Sequence, residues 1–139
     1  MPDCTITAGV QSTLPHALEA LLANIEWLLA PLIAIGVSVV YFLMSPRTEP
    51  LGRRLLASTH GVSIAALYFG ALWIGTSGRG SASLESPFLV MAAVPLAPMI
   101  AAFFLFRGRK AVHLLQVLNL ACLVWTLFVG TMAVTDNWL

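Results

Sequence analysis

The chain has 139 residues, 59% of them hydrophobic and 9% charged, and its mean hydropathy is +0.91. Soluble domains carry about 25% charged residues, so these values exclude a water-soluble fold and favour an all-α membrane protein embedded in a lipid bilayer. The net charge is +1, and the basic residues are divided among short loops. This distribution argues against a nucleic-acid partner.

The first apolar stretch predicts a transmembrane helix over about residues 25–44. Upstream of it, from Thr13, apolar residues recur at helical spacing with polar residues on the opposite flank, which predicts an amphipathic N-terminal extension of helix 1. Pro31 lacks an N–H and leaves the carbonyl of Trp27 without its usual helical partner, so we expect a kink there. Glu26 precedes the apolar part and is expected to be a solvated charge at the interface.

Three further apolar stretches predict helices over about 55–76, 87–106 and 111–134. Each is close to the roughly 20 residues that a helix needs to cross a hydrocarbon layer of about 30 Å. Ser86 and Pro87 are typical of the cap and the first residue of the third helix. The sequence therefore predicts a four-transmembrane-helix bundle that forms a single integral membrane domain over residues 1–139.

The basic residues are concentrated in two of the three loops. Arg79 is the exception, in the loop between helices 2 and 3; the other six are Arg47, Arg53, Arg54, Arg107, Arg109 and Lys110. Because short cytoplasmic loops are enriched in Lys and Arg, we expect both basic loops to be cytoplasmic and both termini to lie on the non-cytoplasmic side. This asymmetry, with no recognisable cleaved signal peptide, favours a multi-pass protein of a bacterial cytoplasmic (inner) membrane.

Two histidines are candidate cofactor ligands. His60 and His113 fall near the starts of helices 2 and 4, at similar depth. Two neutral imidazoles on adjacent helices can hold a haem b iron, and one can hydrogen-bond a quinone carbonyl. A histidine near the interface can instead reach water and have no such role. Haem or quinone is thus an alternative to our expectation of no cofactor, and no metal site is predicted.

Helix 4 carries a stripe of polar residues, Gln116, Asn119 and Thr126. Lipid would not accommodate such a stripe, so it is expected to face protein or a wet cavity. Interhelical hydrogen bonds are one interpretation and a pore lining is the other; we favour the first.

Helix 3 contains Pro95 and Pro98, which free the carbonyls of Met91 and Val94. Such carbonyls need donors from neighbouring helices. We expect these donors to come from the polar stripe of helix 4.

Small residues recur on helix 2 at spacings of four, in Ala57-x-x-x-Gly61-x-x-x-Ala65 and in Ala66-x-x-x-Gly70. Such spacing is expected to place the small residues on one face and to allow a neighbouring helix backbone to approach closely. Helix 2 is therefore predicted to pack tightly against other helices.

No catalytic sequence motif is present, so we expect the chain not to be an enzyme. The leading hypothesis is a non-catalytic accessory or anchoring subunit of a larger membrane protein complex, whose partners are other membrane subunits or further copies of the chain. The first alternative is a small homo-oligomeric channel or membrane-permeabilising protein lined by the polar stripe of helix 4. The second is a redox membrane subunit that binds haem b or quinone through the two histidines.

Overall fold

The computed structural model describes residues 25–137, and within that range every regular element is helical. A 3-10 turn (Ile25–Leu28) leads into the first α-helix, and another (Ala82–Leu84) precedes the third. The α-helices are α1 (Leu29–Met44), α2 (Leu51–Thr76), α3 (Glu85–Met91), α4 (Ala93–Leu105) and α5 (Lys110–Thr135). The predicted amphipathic extension of helix 1 lies outside the described residues.

Four helical stretches in the described range are long and apolar enough to cross a membrane: Glu26–Met44, Leu51–Thr76, Ala82–Leu105 and Lys110–Thr135. The second begins before the predicted start near residue 55. Pro50 ends the loop in extended geometry, and its carbonyl accepts the amides of Arg53 at 3.0 Å and Arg54 at 3.3 Å. Both arginines, expected in a loop, therefore lie in the first turns of α2.

The third stretch departs from the prediction in two ways. It is divided at Ala92 into α3 and α4, because Pro95 has no amide to bond the carbonyl of Met91. The predicted cap at Ser86 is wrong, since α3 already begins at Glu85. The chain enters helical geometry earlier because the Ser81 hydroxyl accepts the amide of Ser83 and caps the preceding 3-10 turn.

The second helix, α2, is the centre of the bundle and contacts α1, α4 and α5. Helices α2 and α5 run in the same direction, since Ala57 shares an apolar cluster with Val112, and Ile64 shares the next one with Leu123. Helix α1 runs the opposite way, with Tyr41 in the first cluster and Ala34 in the second. The clusters form a layered apolar core along the bundle axis.

The outward surfaces of the helices are as apolar as the interior. Leu43, Val90 and Leu114 are about 70% exposed (71%, 70% and 72%), and many other large aliphatic and aromatic side chains on the helices are exposed. Water would oppose exposure of apolar surface on this scale. Lipid, in contrast, would accept it.

Candidate functional site

The two histidines occupy different environments. His60 lies on the inward face of α2 and is completely buried, and neither ring nitrogen is hydrogen-bonded to a residue of another helix among the described residues. His113 lies on α5 and is half-buried, with Nδ1 3.4 Å from Gln116 Oε1 and its ring edge-on to Phe103 at 5.1 Å between centroids. His113 therefore contacts Phe103 of α4 and Gln116 of its own helix, and neither contact joins it to His60.

The polar stripe of α5 faces the interior of the bundle. Gln116 is 6% exposed, and Asn119 and Thr126 are completely buried. Nε2 of Gln116 donates to the carbonyl of Met99 at 3.1 Å, which links α5 to α4. The sequence predicts that the stripe donates to the carbonyls freed by the prolines, but the acceptor is the carbonyl of Met99, which lies more than one turn beyond Val94.

Six residues within 25–137 have a buried side-chain nitrogen or oxygen that makes no well-formed hydrogen bond, and four of them lie inside the bundle: Ser38, His60, Asn119 and Thr126. The Ser38 hydroxyl lies against Gly61 of α2, one residue from His60, so these two helices bring polar groups to the same level. An unpaired buried polar group costs about 1–3 kcal/mol. The described residues contain no group of three or more His, Cys, Asp or Glu side chains placed to hold a metal ion.

The carbonyl of Trp27, which Pro31 deprives of its helical partner, is bonded by two other helices. The Tyr68 hydroxyl of α2 donates to it at 3.0 Å, and Nε1 of Trp125 of α5 donates to it at 3.3 Å. Three segments therefore meet at one backbone oxygen. The freed carbonyl follows from the sequence, whereas its two donors, 41 and 98 residues away, do not.

The two small-residue patterns of α2 lie on opposite faces. Ala57, Gly61 and Ala65 are buried, and a Cβ added at Gly61 would overlap the Ser38 hydroxyl and the Ala34 carbonyl of α1. Ala66 and Gly70 are exposed, and a Cβ added at Gly70 would meet nothing within 4 Å. One face is therefore already used for packing within the chain, and the other is open.

The open face is a stripe of small side chains along the outside of α2, which we call the outer stripe: Thr59, Ser63, Ala66 and Gly70. On one side a groove of about 380 Å³ separates the stripe from α1, with Val39 and Phe42 in its wall. On the other side a groove of about 310 Å³ separates it from α3 and α4, with Phe88 and Val94 in its wall. The stripe is thus a low ridge between two apolar grooves.

The basic loops meet at one end of the bundle. The guanidinium of Arg109 forms an ion pair with Glu49, which joins the α4–α5 connection to the α1–α2 connection. Nη2 of Arg54 donates to the Phe42 carbonyl at 2.6 Å, near the end of α1, and its guanidinium lies 4.5 Å from the centre of the Phe42 ring. The cations at this end therefore also hold the helix termini together.

No family model matches the chain, and comparison with curated proteins and with solved structures likewise finds no match.

Sequence reasoning missed two features that the structure brings together. The partner of the inner face of α2 is a pair of small residues on α1, Ala34 and Ser38, whose spacing of four is visible in the sequence. The second is a groove between α1 and α5 at the basic end of the bundle. No local pattern marks this groove, because it arises from how two distant helices are placed.

Proposed function

We propose that the chain is a multi-pass membrane protein that acts as a non-catalytic accessory or anchoring subunit, and that a partner's transmembrane helix docks along the outer stripe of α2. The observation that carries this proposal is the outer stripe itself. It combines exposed small residues at helical spacing with an apolar groove on each side. Surface composition supports membrane insertion, and the charge distribution supports the orientation.

Membrane insertion is supported by the apolar outer surface and by four helical stretches of sufficient length. The charge distribution supports one orientation. Six of the seven basic residues lie at the end where Arg109 meets Glu49, and Trp27 and Trp73 lie toward the other end, as interfacial aromatic residues do. We therefore place the basic end in the cytoplasm and both termini outside it, in a bacterial cytoplasmic membrane.

Helix association in lipid depends on close packing, because lipid tails are as apolar as the side chains that would meet. Ala66 and Gly70 would allow a second helix to come close to the α2 backbone. The Ser63 hydroxyl already donates to the His60 carbonyl of its own helix at 2.9 Å, so covering it with an apolar partner would leave no donor unpaired. Side chains of the partner would then fill the two grooves, as ridges fill grooves in helix packing.

The alternative of a homo-oligomeric channel has less support. A pore between copies would need polar residues on an outer surface, whereas Gln116, Asn119 and Thr126 lie inside a single copy. No specific observation favours a haem or quinone subunit.

The test is copurification in mild detergent from native membranes, with a C-terminal tag and mass spectrometry of the recovered chains. We expect a foreign membrane protein in stoichiometric amount with the wild type and its loss with Gly70→Leu. Gly36→Leu is a matched control, since Gly36 is also exposed on a membrane-spanning stretch and has open space around it. Recovery of the chain with only further copies of itself would favour self-association, and recovery with no protein partner would refute the proposal.

Membrane orientation has its own test. In a background without Cys4 and Cys122, we expect Ala82→Cys to react with an impermeant thiol reagent added to intact cells, and Thr48→Cys to react only after lysis. Both positions are exposed in the structure. The reverse pattern of labelling would invert the proposed orientation.

A further inference from the structure

The groove between α1 and α5 at the basic end has a volume of about 590 Å³. The two helices meet near the middle of the bundle, where Ala34 and Leu123 share an apolar cluster. From Val37 toward the basic end the space between them is open, and its walls are apolar along both helices. The groove therefore exposes apolar side chains along its length and ends among charged residues.

Its length suits a lipid chain. Along α5 the lining extends from Lys110 to Leu118, which at about 1.5 Å per residue is roughly 12 Å. One leaflet of a hydrocarbon layer about 30 Å thick is roughly 15 Å deep. An acyl chain lying in the groove would therefore have its glycerol and headgroup at the charged mouth.

The mouth is positively charged. Lys110 is exposed, lines the groove and has no ion pair within the described part of the chain. Arg109 also lines it, with part of its charge offset by Glu49. The N-terminus of α5 lies between these cations, and no side chain caps it, so the first amides and the dipole of a 26-residue helix add positive potential at the same place.

We propose that this groove binds an anionic glycerophospholipid from the adjoining leaflet, with an acyl chain between α1 and α5 and the phosphate at Lys110 and the first amides of α5. The inference rests on the membrane insertion proposed above but not on the docking of a partner. Charge complementarity selects the headgroup, because a zwitterionic lipid would place a second cation beside Arg109 and Lys110. Basic pockets between membrane helices on the cytoplasmic side bind acidic lipids in this way.

Native mass spectrometry of the purified full chain tests the headgroup. The protein would be offered equimolar phosphatidylglycerol and phosphatidylcholine with identical acyl chains. We expect preferential retention of phosphatidylglycerol, and a fall of about fivefold in that preference in Lys110→Gln. Arg79→Gln removes the same charge from the loop between α2 and α3 and is expected to keep the wild-type preference.

A second pair of variants tests the groove. Leu118→Trp would fill the groove, whereas Leu120 is exposed on the same helix but does not line it. We expect retained phosphatidylglycerol to fall in Leu118→Trp and to stay at the wild-type amount in Leu120→Trp. Equal falls in the two tryptophan variants would overturn the proposed groove.

The outcomes separate this inference from the proposed function. Equal retention of the two lipids by the wild type, or equal loss of preference in Lys110→Gln and Arg79→Gln, would overturn the lipid site and leave partner docking unaffected. Failure of the chain to enter lipid nanodiscs would overturn membrane insertion, on which both proposals depend.

Discussion

Gly61 and Gly70 are the same residue type on the same helix, yet they have opposite surroundings. At Gly61 the backbone of α1 is so close that a single added carbon would overlap Ser38 and Ala34, whereas at Gly70 nothing lies within 4 Å. The inner face is therefore a contact within the chain, and its small residues are needed for folding. The outer face carries the same spacing of small residues but is open among the described residues, and this is where we propose that a partner helix docks.

The largest effect is expected at the inner face. Gly61→Val should lower the free energy of unfolding by about 3 kcal/mol, because overfilling a packed interface costs about 1–3 kcal/mol and here the obstacle includes backbone. Reversible unfolding in mixed micelles would measure the change, with Gly36→Val as the control for valine at an open helical glycine. Equal stabilities of the two variants would show that α1 and α2 are not packed this closely.

The junction at the Trp27 carbonyl should show the next largest effect. Tyr68→Phe or Trp125→Phe alone leaves one donor on this carbonyl and should cost about 1 kcal/mol or less. The double variant should cost more than the sum of the two single variants, because each single variant leaves the other donor on the same carbonyl and the double variant removes both. A double-mutant cycle in unfolding free energy measures this coupling, and strict additivity would contradict the shared acceptor.

The polar stripe of α5 allows a smaller, paired comparison. Gln116→Leu should cost about 1 kcal/mol because it removes the bond to the Met99 carbonyl. Thr126→Val should leave stability unchanged or raise it by up to about 1 kcal/mol, because its buried hydroxyl has no partner among the described residues. If thermal unfolding in detergent showed equal losses for both variants, the hydroxyl of Thr126 would have a role that this interpretation omits.

The outer face should show the smallest effect on folding. Gly70→Leu and Ala66→Leu should each change the unfolding free energy by no more than about 0.5 kcal/mol, since these positions are exposed. Unfolding measured without any partner would check this expectation. A large loss of stability in either variant would mean that the outer stripe already packs against the chain's own helices.

The sequence predicted the helical stretches well because long apolar runs leave a chain few alternatives to helix. The prediction that the small residues of α2 share one face was wrong, because the two patterns lie on opposite faces and the position of α1 decides which one is covered. Glu26 is exposed in the structure, and its solvation at the interface stays a prediction. Local signals were less reliable at helix ends, as the wrong cap at Ser86 shows.

Tertiary contacts explain what the sequence left open. Pro31 indicated that the Trp27 carbonyl would need a donor, but Tyr68 and Trp125 become its neighbours only when α2 and α5 pack against the first helix. The polar stripe was correctly predicted to supply a donor, Gln116, to a backbone carbonyl of the third apolar stretch. The predicted acceptors, the carbonyls of Met91 and Val94, were wrong. The carbonyl of Met99 is the acceptor because of the axial position of α4 relative to α5, which no local sequence pattern specifies.

Site-specific photocrosslinking in native membranes tests the central claim most directly. A photoreactive residue at Val62, which is 53% exposed beside the outer stripe, would be compared with one at Val124, which is 61% exposed on α5. We predict a crosslink to a distinct membrane protein from Val62 and none from Val124. Crosslinks from Val62 to lipid alone, or the same protein adduct from both positions, would contradict docking of a partner on the outer stripe.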